Sequence, residues 1–228
     1  MVRELLHLFF PRVCPGCSDA LLRNEKLICR TCFVQLPQTA FHNNPFDNPI
    51  NRLFWGRIPI YASSAYLYFR KSGVVQELLH ALKYGNQPEI GTFLGAEYGN
   101  TLTNSNPFCS SDIILPIPLH GKRQQQRGYN QSAFFADGLS SNLKIESSNA
   151  VLHRNDFQSS QTKKGRFERW QNVSTVFEVS TPEKIFNKHV LLVDDVITTG
   201  ATIEACARQL FLSGASRVSV LCIAAPVN

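Results

Sequence analysis

The segment Val190-Leu191-Leu192-Val193-Asp194-Asp195-Val196-Ile197-Thr198-Thr199-Gly200-Ala201-Thr202 sets two adjacent carboxylates between an apolar run and a Thr/Gly turn. Four successive apolar β-formers predict a strand buried on both faces of a parallel sheet, and the amphipathic stretch 201–212 predicts the crossover helix behind it. The turn between them falls at the carboxyl end of the strand, where ligands bind in open α/β sheets. The start of the helix adds unpaired backbone N–H groups aimed at an anion. Thr198, Thr199 and Thr202 add hydroxyl donors, and Gly200 and Ala201 let the backbone approach closely. Two carboxylates beside a bound phosphate would repel it unless they faced donors of their own, and sugar hydroxyls are such donors. The unit therefore suits a sugar phosphate, against the alternative that the acids merely cap the helix.

A second constellation is Cys14-Pro15-Gly16-Cys17 with Cys29-Arg30-Thr31-Cys32. Two CxxC turns each point two thiolates at one place, as tetrahedral zinc requires, and their short separation favours a compact knuckle. A redox CxxC would open a helix after a strand in a βαβ pattern, which the first 40 residues lack. Cys109, Cys206 and Cys222 stand outside both pairs, and an odd total of seven cysteines argues against an oxidising compartment. Cys206 and Cys222 read as small core residues.

The elements that must position these groups follow from pattern. Residues 1–40 form a zinc-binding module, 41–57 a Pro/Asn-rich connector and 58–228 the larger domain. Strand or hairpin is expected over 58–69, helices over 73–84 and 88–102, a short strand over 112–115, and a helix over 130–143. A strand near 173–179 and the closing strand, helix and strand at 189–193, 201–212 and 217–224 complete the pattern, with Gly214 just past the last helix. Alternating strands and helices imply an α/β fold with a mostly parallel sheet flanked by helices.

The 228 residues are 43% hydrophobic with a formal net charge of +6, enough for one sizeable core plus a small metal-stabilised module. Residues 120–172 carry nine Lys/Arg against four Asp/Glu, so most of the excess charge lies there. No apolar stretch approaches a membrane span, and the short run 5–10 stops at Pro11. With no small-residue cleavage site, the expectation is a cytoplasmic protein without membrane insertion.

The 190–202 segment resembles the 5-phosphoribosyl 1-diphosphate (PRPP) motif of type I phosphoribosyltransferases. That resemblance implies that Asp194 and Asp195 serve catalysis by binding the ribose hydroxyls, while Thr198, Thr199, Gly200, Ala201 and Thr202 hold the 5′-phosphate, with Mg2+ accompanying PRPP. His80-Ala81-Leu82-Lys83-Tyr84-Gly85, Leu115-Pro116-Ile117-Pro118-Leu119-His120, Arg127-Gly128-Tyr129-Asn130-Gln131, Gln161 and Arg169-Trp170-Gln171-Asn172-Val173 extend the match. With the double CxxC, they resemble the ComF family of phosphoribosyltransferase-like proteins linked to competence and DNA uptake. The resemblance implies a type I phosphoribosyltransferase fold and a glycosyltransferase activity on PRPP, with DNA-uptake proteins or single-stranded DNA as further partners. A non-catalytic PRPP-binding or DNA-binding factor is the alternative.

Lys83, Arg123, Arg127 and Arg169 are candidate diphosphate or hood contacts. Each has a plainer reading: Lys83 complements a helix dipole, and the basic residues 122, 123 and 127 form an exposed loop, departing from the glycine-rich loop of the fold. His80 and His120 are candidate acid/base groups or simply surface side chains, and Asn130 is a candidate helix cap. Nothing in the sequence names the acceptor of the phosphoribosyl group.

Overall fold

The structure is a computed structural model and describes residues 11–102, 107–155 and 176–227. Its centre is a four-stranded parallel sheet built from β1 (Ser63–Phe69), β2 (Ile113–Pro116), β5 (His189–Val196) and β6 (Arg217–Pro226), in the order β1-β6-β5-β2. A separate antiparallel pair, β3 (Leu152–Arg154) and β4 (Phe177–Val179), stands beside it. Among the described residues, five helices accompany the sheet: α3 (Val74–Tyr84), α4 (Glu89–Thr101), α5 (Gly121–Arg127), α6 (Gln131–Leu143) and α7 (Ala201–Leu212). Two short helices precede them, α1 (Arg30–Val34) and α2 (Pro49–Arg52). The expected mostly parallel sheet with flanking helices is thus present.

Period-two alternation along β5 divides the interior. Leu191 and Val193 enter a cluster with Leu78, Leu82, Leu94, Tyr98 and Phe135, whereas Val190 and Leu192 enter another with Phe54, Ile203, Ala207 and Leu210. Cys206 and Cys222 are fully buried in the second, as their placement in the sequence implied. Helix α3 buries Val75, Leu78, Leu79 and Leu82, the stripe read from its spacing. Cys14, Ile28, Cys29, Cys32 and Leu36 belong to the first cluster, so the cysteine-bearing segment packs on the same core as α3 and α4.

Two expectations need correction. Strand β1 begins only at Ser63: Ile58 N–H turns back to Phe54 O at 3.1 Å and Ile60 N–H to Ile58 O at 2.9 Å, and only from Tyr61, whose N–H bonds Val218 O at 2.8 Å, does the backbone meet β6. The basic stretch 121–127 is a helix rather than a loop: His120 caps it, accepting from Lys122 N–H at 3.2 Å, and Gly128 closes it in the left-handed region at φ 78°. The strand expected at 173–179 is described only as Phe177–Val179, and residues 173–175 lie outside the described residues.

Helix α6 must lie close to α4 to reach the sheet, and glycine on both helices makes that contact. A Cβ on Gly138 would stand 2.2 Å from Thr92 O, and one on Gly95 2.3 Å from Phe135 O. Both obstacles are backbone atoms. Gly138→Ala is expected to destabilise the fold by about 3 kcal/mol in chemical denaturation, the upper range for overpacking. Gly99→Ala should cost much less, since its Cβ would meet chiefly the Asn142 side chain at 3.0 Å.

Candidate functional site

The carboxyl end of β5 carries Asp194 and Asp195 past the buried part of the strand into half-buried positions. Their lone pairs are taken up from three directions. The Ser132 hydroxyl, in the first turn of α6, donates to Asp194 Oδ1 at 3.0 Å, and the same oxygen accepts the Asp195 N–H at 2.8 Å. Lys83 Nζ, in the last turn of α3, pairs with Asp195 Oδ2 at 2.9 Å, and Asp195 Oδ1 accepts the Val196 N–H at 2.6 Å. Burial, followed by the like charge of Asp195, pushes the Asp194 carboxyl up from 3.8 to about 7; its hydrogen bonds and Lys83 oppose the shift.

Beyond the acids the chain turns through Thr198 and Thr199, both exposed, into α7. Gly200 sits in the left-handed region at φ 74°, and a Cβ there would meet Phe54 Cε1 at 2.8 Å. Helix α7 has no side-chain cap, although Ala201 N–H makes a long contact of 3.4 Å to Thr199 Oγ1. A depression of about 220 Å³, counted out to its mouth, is lined by Asp194 and by every residue from Val196 to Ile203. Asp194 and the Thr/Gly turn thus line one depression.

The other candidates divide. Lys83 is in the site, on the acid itself. Arg127 donates to Gln131 Oε1 at 2.8 Å and to Tyr84 Oη at 3.3 Å, and lies over the Tyr84 ring at 5.1 Å. Lys122 and Arg123 are exposed on α5, and His80 is exposed against Tyr84. Asn130 caps α6 through Ser132 N–H at 3.1 Å and donates to Ile117 O at 2.9 Å. Arg169, with Gln161 and the 169–173 motif, lies outside the described residues. Ser132, Phe54 and Arg57 went unread in the sequence. Ser132 follows an Asn cap by two positions, but only the seating of α6 against β5 shows that its hydroxyl meets Asp194.

At the other end of α3 the four cysteines 14, 17, 29 and 32 bring their sulfurs within 4.8 Å of one another. Tetrahedral zinc with Zn–S bonds of about 2.3 Å places its sulfurs roughly 3.8 Å apart. The Cys17 and Cys29 sulfurs are 3.7 Å apart. The Cys14 sulfur accepts Cys29 N–H at 3.3 Å, and the Cys29 sulfur accepts Cys32 N–H at 3.4 Å. Burial works to raise the Cys14 thiol, but backbone N–H groups of Cys29, Gly16 and Cys17 outweigh it and bring it down to about 7. The cluster is compatible with structural zinc.

Comparison with known proteins follows the same lines. No family model matches the chain. It is 27% identical over 219 residues to the DNA utilization protein YhgH of Escherichia coli K12, covering 92% of this chain and 89% of that one. Competence protein F of Haemophilus influenzae is 34% identical over 110 residues, 48% of each chain. Competence protein ComFC of Bacillus subtilis is 27% identical over 151 residues, 66% of this chain and 58% of that one. The chain is a relative of these competence and DNA-utilization proteins. Among solved structures, the glutamine PRPP amidotransferase of B. subtilis aligns with 61% of this chain and 26% of its own at TM-score 0.42 and 18% identity. A hypoxanthine phosphoribosyltransferase of Staphylococcus aureus aligns with 60% and 62% at TM-score 0.35 and 14% identity. Among the described residues of this YhgH and ComF relative, no helix is long and apolar enough to cross a membrane.

The raised Asp194 carboxyl has a stability consequence. The folded chain keeps a proton on Asp194 that the unfolded chain releases, so this group makes stability fall as pH rises from 3.8 to about 7. Asp194→Asn keeps an acceptor for Ser132 and removes the charge. It should stabilise the ligand-free protein by about 1–2 kcal/mol at pH 8 and by almost nothing at pH 4, read from denaturant midpoints at the two pH values.

Proposed function

We propose that this chain binds PRPP with Mg2+ and transfers its phosphoribosyl group to an acceptor, serving DNA uptake or nucleotide salvage linked to it in the cytoplasm. The observation that supports this reading is the convergence of Asp194 and the 196–203 turn on one depression at the carboxyl end of β5. In this reading residues 58–228 are the transferase domain, 1–40 a zinc-binding module on Cys14, Cys17, Cys29 and Cys32, and 41–57 the segment joining them.

The N–H groups opening α7 and the hydroxyls of Thr198, Thr199 and Thr202 receive the 5′-phosphate. Asp194 and Asp195 accept the ribose hydroxyls. As diphosphate departs, C1 becomes electron-poor, and two fixed carboxylates beside the ribose stabilise that charge without reorganising. Lys83 holds Asp195 in an ion pair at 2.9 Å, and Asp194, whose carboxyl is raised by burial, gives up its proton when the ribose donors arrive. Mg2+ accompanying PRPP would supply charge neutralisation on the leaving group.

Calorimetry with PRPP and Mg2+ tests the site. Asp194→Asn/Asp195→Asn should weaken binding at least tenfold, and Thr199→Val by about 1–3 kcal/mol. Unchanged affinity in the double variant contradicts the assignment. Because the ligand takes the ionised form of Asp194, wild-type affinity should decline as pH falls from 8 to 6, approaching tenfold per pH unit. Turnover is separable: diphosphate released on adding a nucleobase marks a transferase, and binding with no release marks a sensor.

Zinc has its own test. Purified protein should carry one zinc per chain by elemental analysis, and Cys29→Ser should lose both zinc and thermal stability. Stoichiometric zinc in a chain lacking all four cysteines would refute the cluster as its ligand.

A second reading is favoured by one groove, about 1090 Å³ counted out to its mouth, that brings Tyr129, Phe134 and Arg154 together beside basic α5. Aromatic and basic side chains so arranged suit single-stranded DNA. Binding of an oligonucleotide that weakens steeply with salt, and is untouched by PRPP, would favour it.

A further inference from the structure

We infer that the segment 48–57 is part of the phosphate site, with Arg57 and Phe54 as positioning residues that set the 198–202 turn to receive a phosphate monoester. This rests on the sugar-phosphate reading above and adds the groups that shape the turn.

The segment is firmly tied to the sheet before it reaches the turn. Asn48 caps α2, accepting from Ile50 and Asn51 N–H at 3.0 and 3.1 Å, while its amide donates to Ser63 O of β1 at 2.7 Å. One turn later Phe54 is 1% exposed, with its ring directly under Gly200. Arg57 then reaches across 142 positions of sequence. Its Nη1 donates to Thr199 O at 3.2 Å and to Leu53 O at 3.0 Å, and its Nη2 pairs with Glu204.

Two consequences follow. The first is geometric. The Thr199–Gly200 peptide is planar and trans, so its C=O and N–H point opposite ways. With the carbonyl held by Arg57 on one side, the Gly200 N–H is turned to the other. Phe54 fills the space where a residue with a side chain would force the turn open, so the left-handed Gly200 conformation is supported from beneath. The donors that open α7 are thereby fixed before any ligand arrives.

The second consequence is electrostatic. Glu204 lies in the first turn of α7, where a carboxylate favours the helix but repels a dianionic phosphate on the same N-terminus. Arg57 and Arg208, the latter at 3.2 Å, both engage Glu204. The helix keeps its acidic first turn while the phosphate meets a neutralised one. Arg57 therefore acts through Thr199 and Glu204 rather than as a catalytic group.

The probes are ribose 5-phosphate, PRPP–Mg2+ and Mg2+–pyrophosphate, each titrated calorimetrically into the full chain and into Arg57→Gln, Glu204→Gln and the double variant. Arg57→Gln should weaken ribose 5-phosphate and PRPP by the same factor, about tenfold, with Mg2+–pyrophosphate and the melting temperature nearly unchanged. Adding Glu204→Gln should restore much of the loss, because the unpaired carboxylate is gone. Phe54→Leu, which keeps an apolar filler, should reproduce the selective loss on the phosphate end. Wild-type affinity for ribose 5-phosphate in Arg57→Gln overturns the inference, and so does an equal loss for pyrophosphate. A wild-type chain that binds neither sugar phosphate fails the PRPP reading itself, a result distinct from either of these.

Discussion

Two carboxylates on consecutive residues at the end of a strand buried on both faces repel each other, and much of this structure is arranged around that repulsion. Asp194 and Asp195 are met by two helices that pack in one cluster, the one holding Leu191 and Val193. Ser132 reaches Asp194 from α6, and Lys83 reaches Asp195 from α3. Neither contact survives if its helix shifts by a turn. The position of α6 depends in turn on Gly95 and Gly138, where the helix backbones nearly touch, so a pair of glycines remote in sequence from the acids determines whether Ser132 can reach them.

Compensation of the two acids is unequal, and the inequality has chemical content. Asp195 has a full counter-charge in Lys83, whereas Asp194 has a hydroxyl and a backbone N–H. Its carboxyl is consequently pushed toward neutrality by burial and by its neighbour. One acid is thus paired with a cation, while the other is eased toward neutrality by burial and by its neighbour. A purely structural pair would more simply have replaced one acid by an amide.

Much of this was legible in the sequence, and the parts that were not share a cause. Strand, acids, turn and helix from Val190 to Leu212 are contiguous, so local pattern and turn chemistry sufficed. The cysteine cluster announced itself by spacing, and Asn130 by its capping position. Ser132, Arg57 and Phe54 act across 62, 142 and 146 positions respectively, and nothing in their neighbours' periodicity marks them. The stretch 121–127 reads as a loop because Gly121, three lysine or arginine residues and three glutamines show no apolar stripe. Its helix is set instead by a histidine cap at one end and a left-handed glycine at the other. For Arg127 charge alone is visible in the sequence; its partners Gln131 and Tyr84 lie on two other helices.

Helix α3 connects the two centres of chemistry. Its first turns pack with the buried cysteines in one cluster, and its last turn carries Lys83 to Asp195 and Tyr84 to Arg127. A helix of 11 residues spans about 16 Å and is too short to hold its own register in water, so its placement depends on what it packs against at each end. A cysteine knuckle held rigid by a metal would fix the amino end of α3. The Tyr129 hydroxyl, donating to Leu82 O at 2.5 Å, holds the carboxyl end. On this argument the cysteine cluster contributes to the acid pair mechanically: the cation paired with Asp195 is delivered by a helix whose other end rests on four thiols.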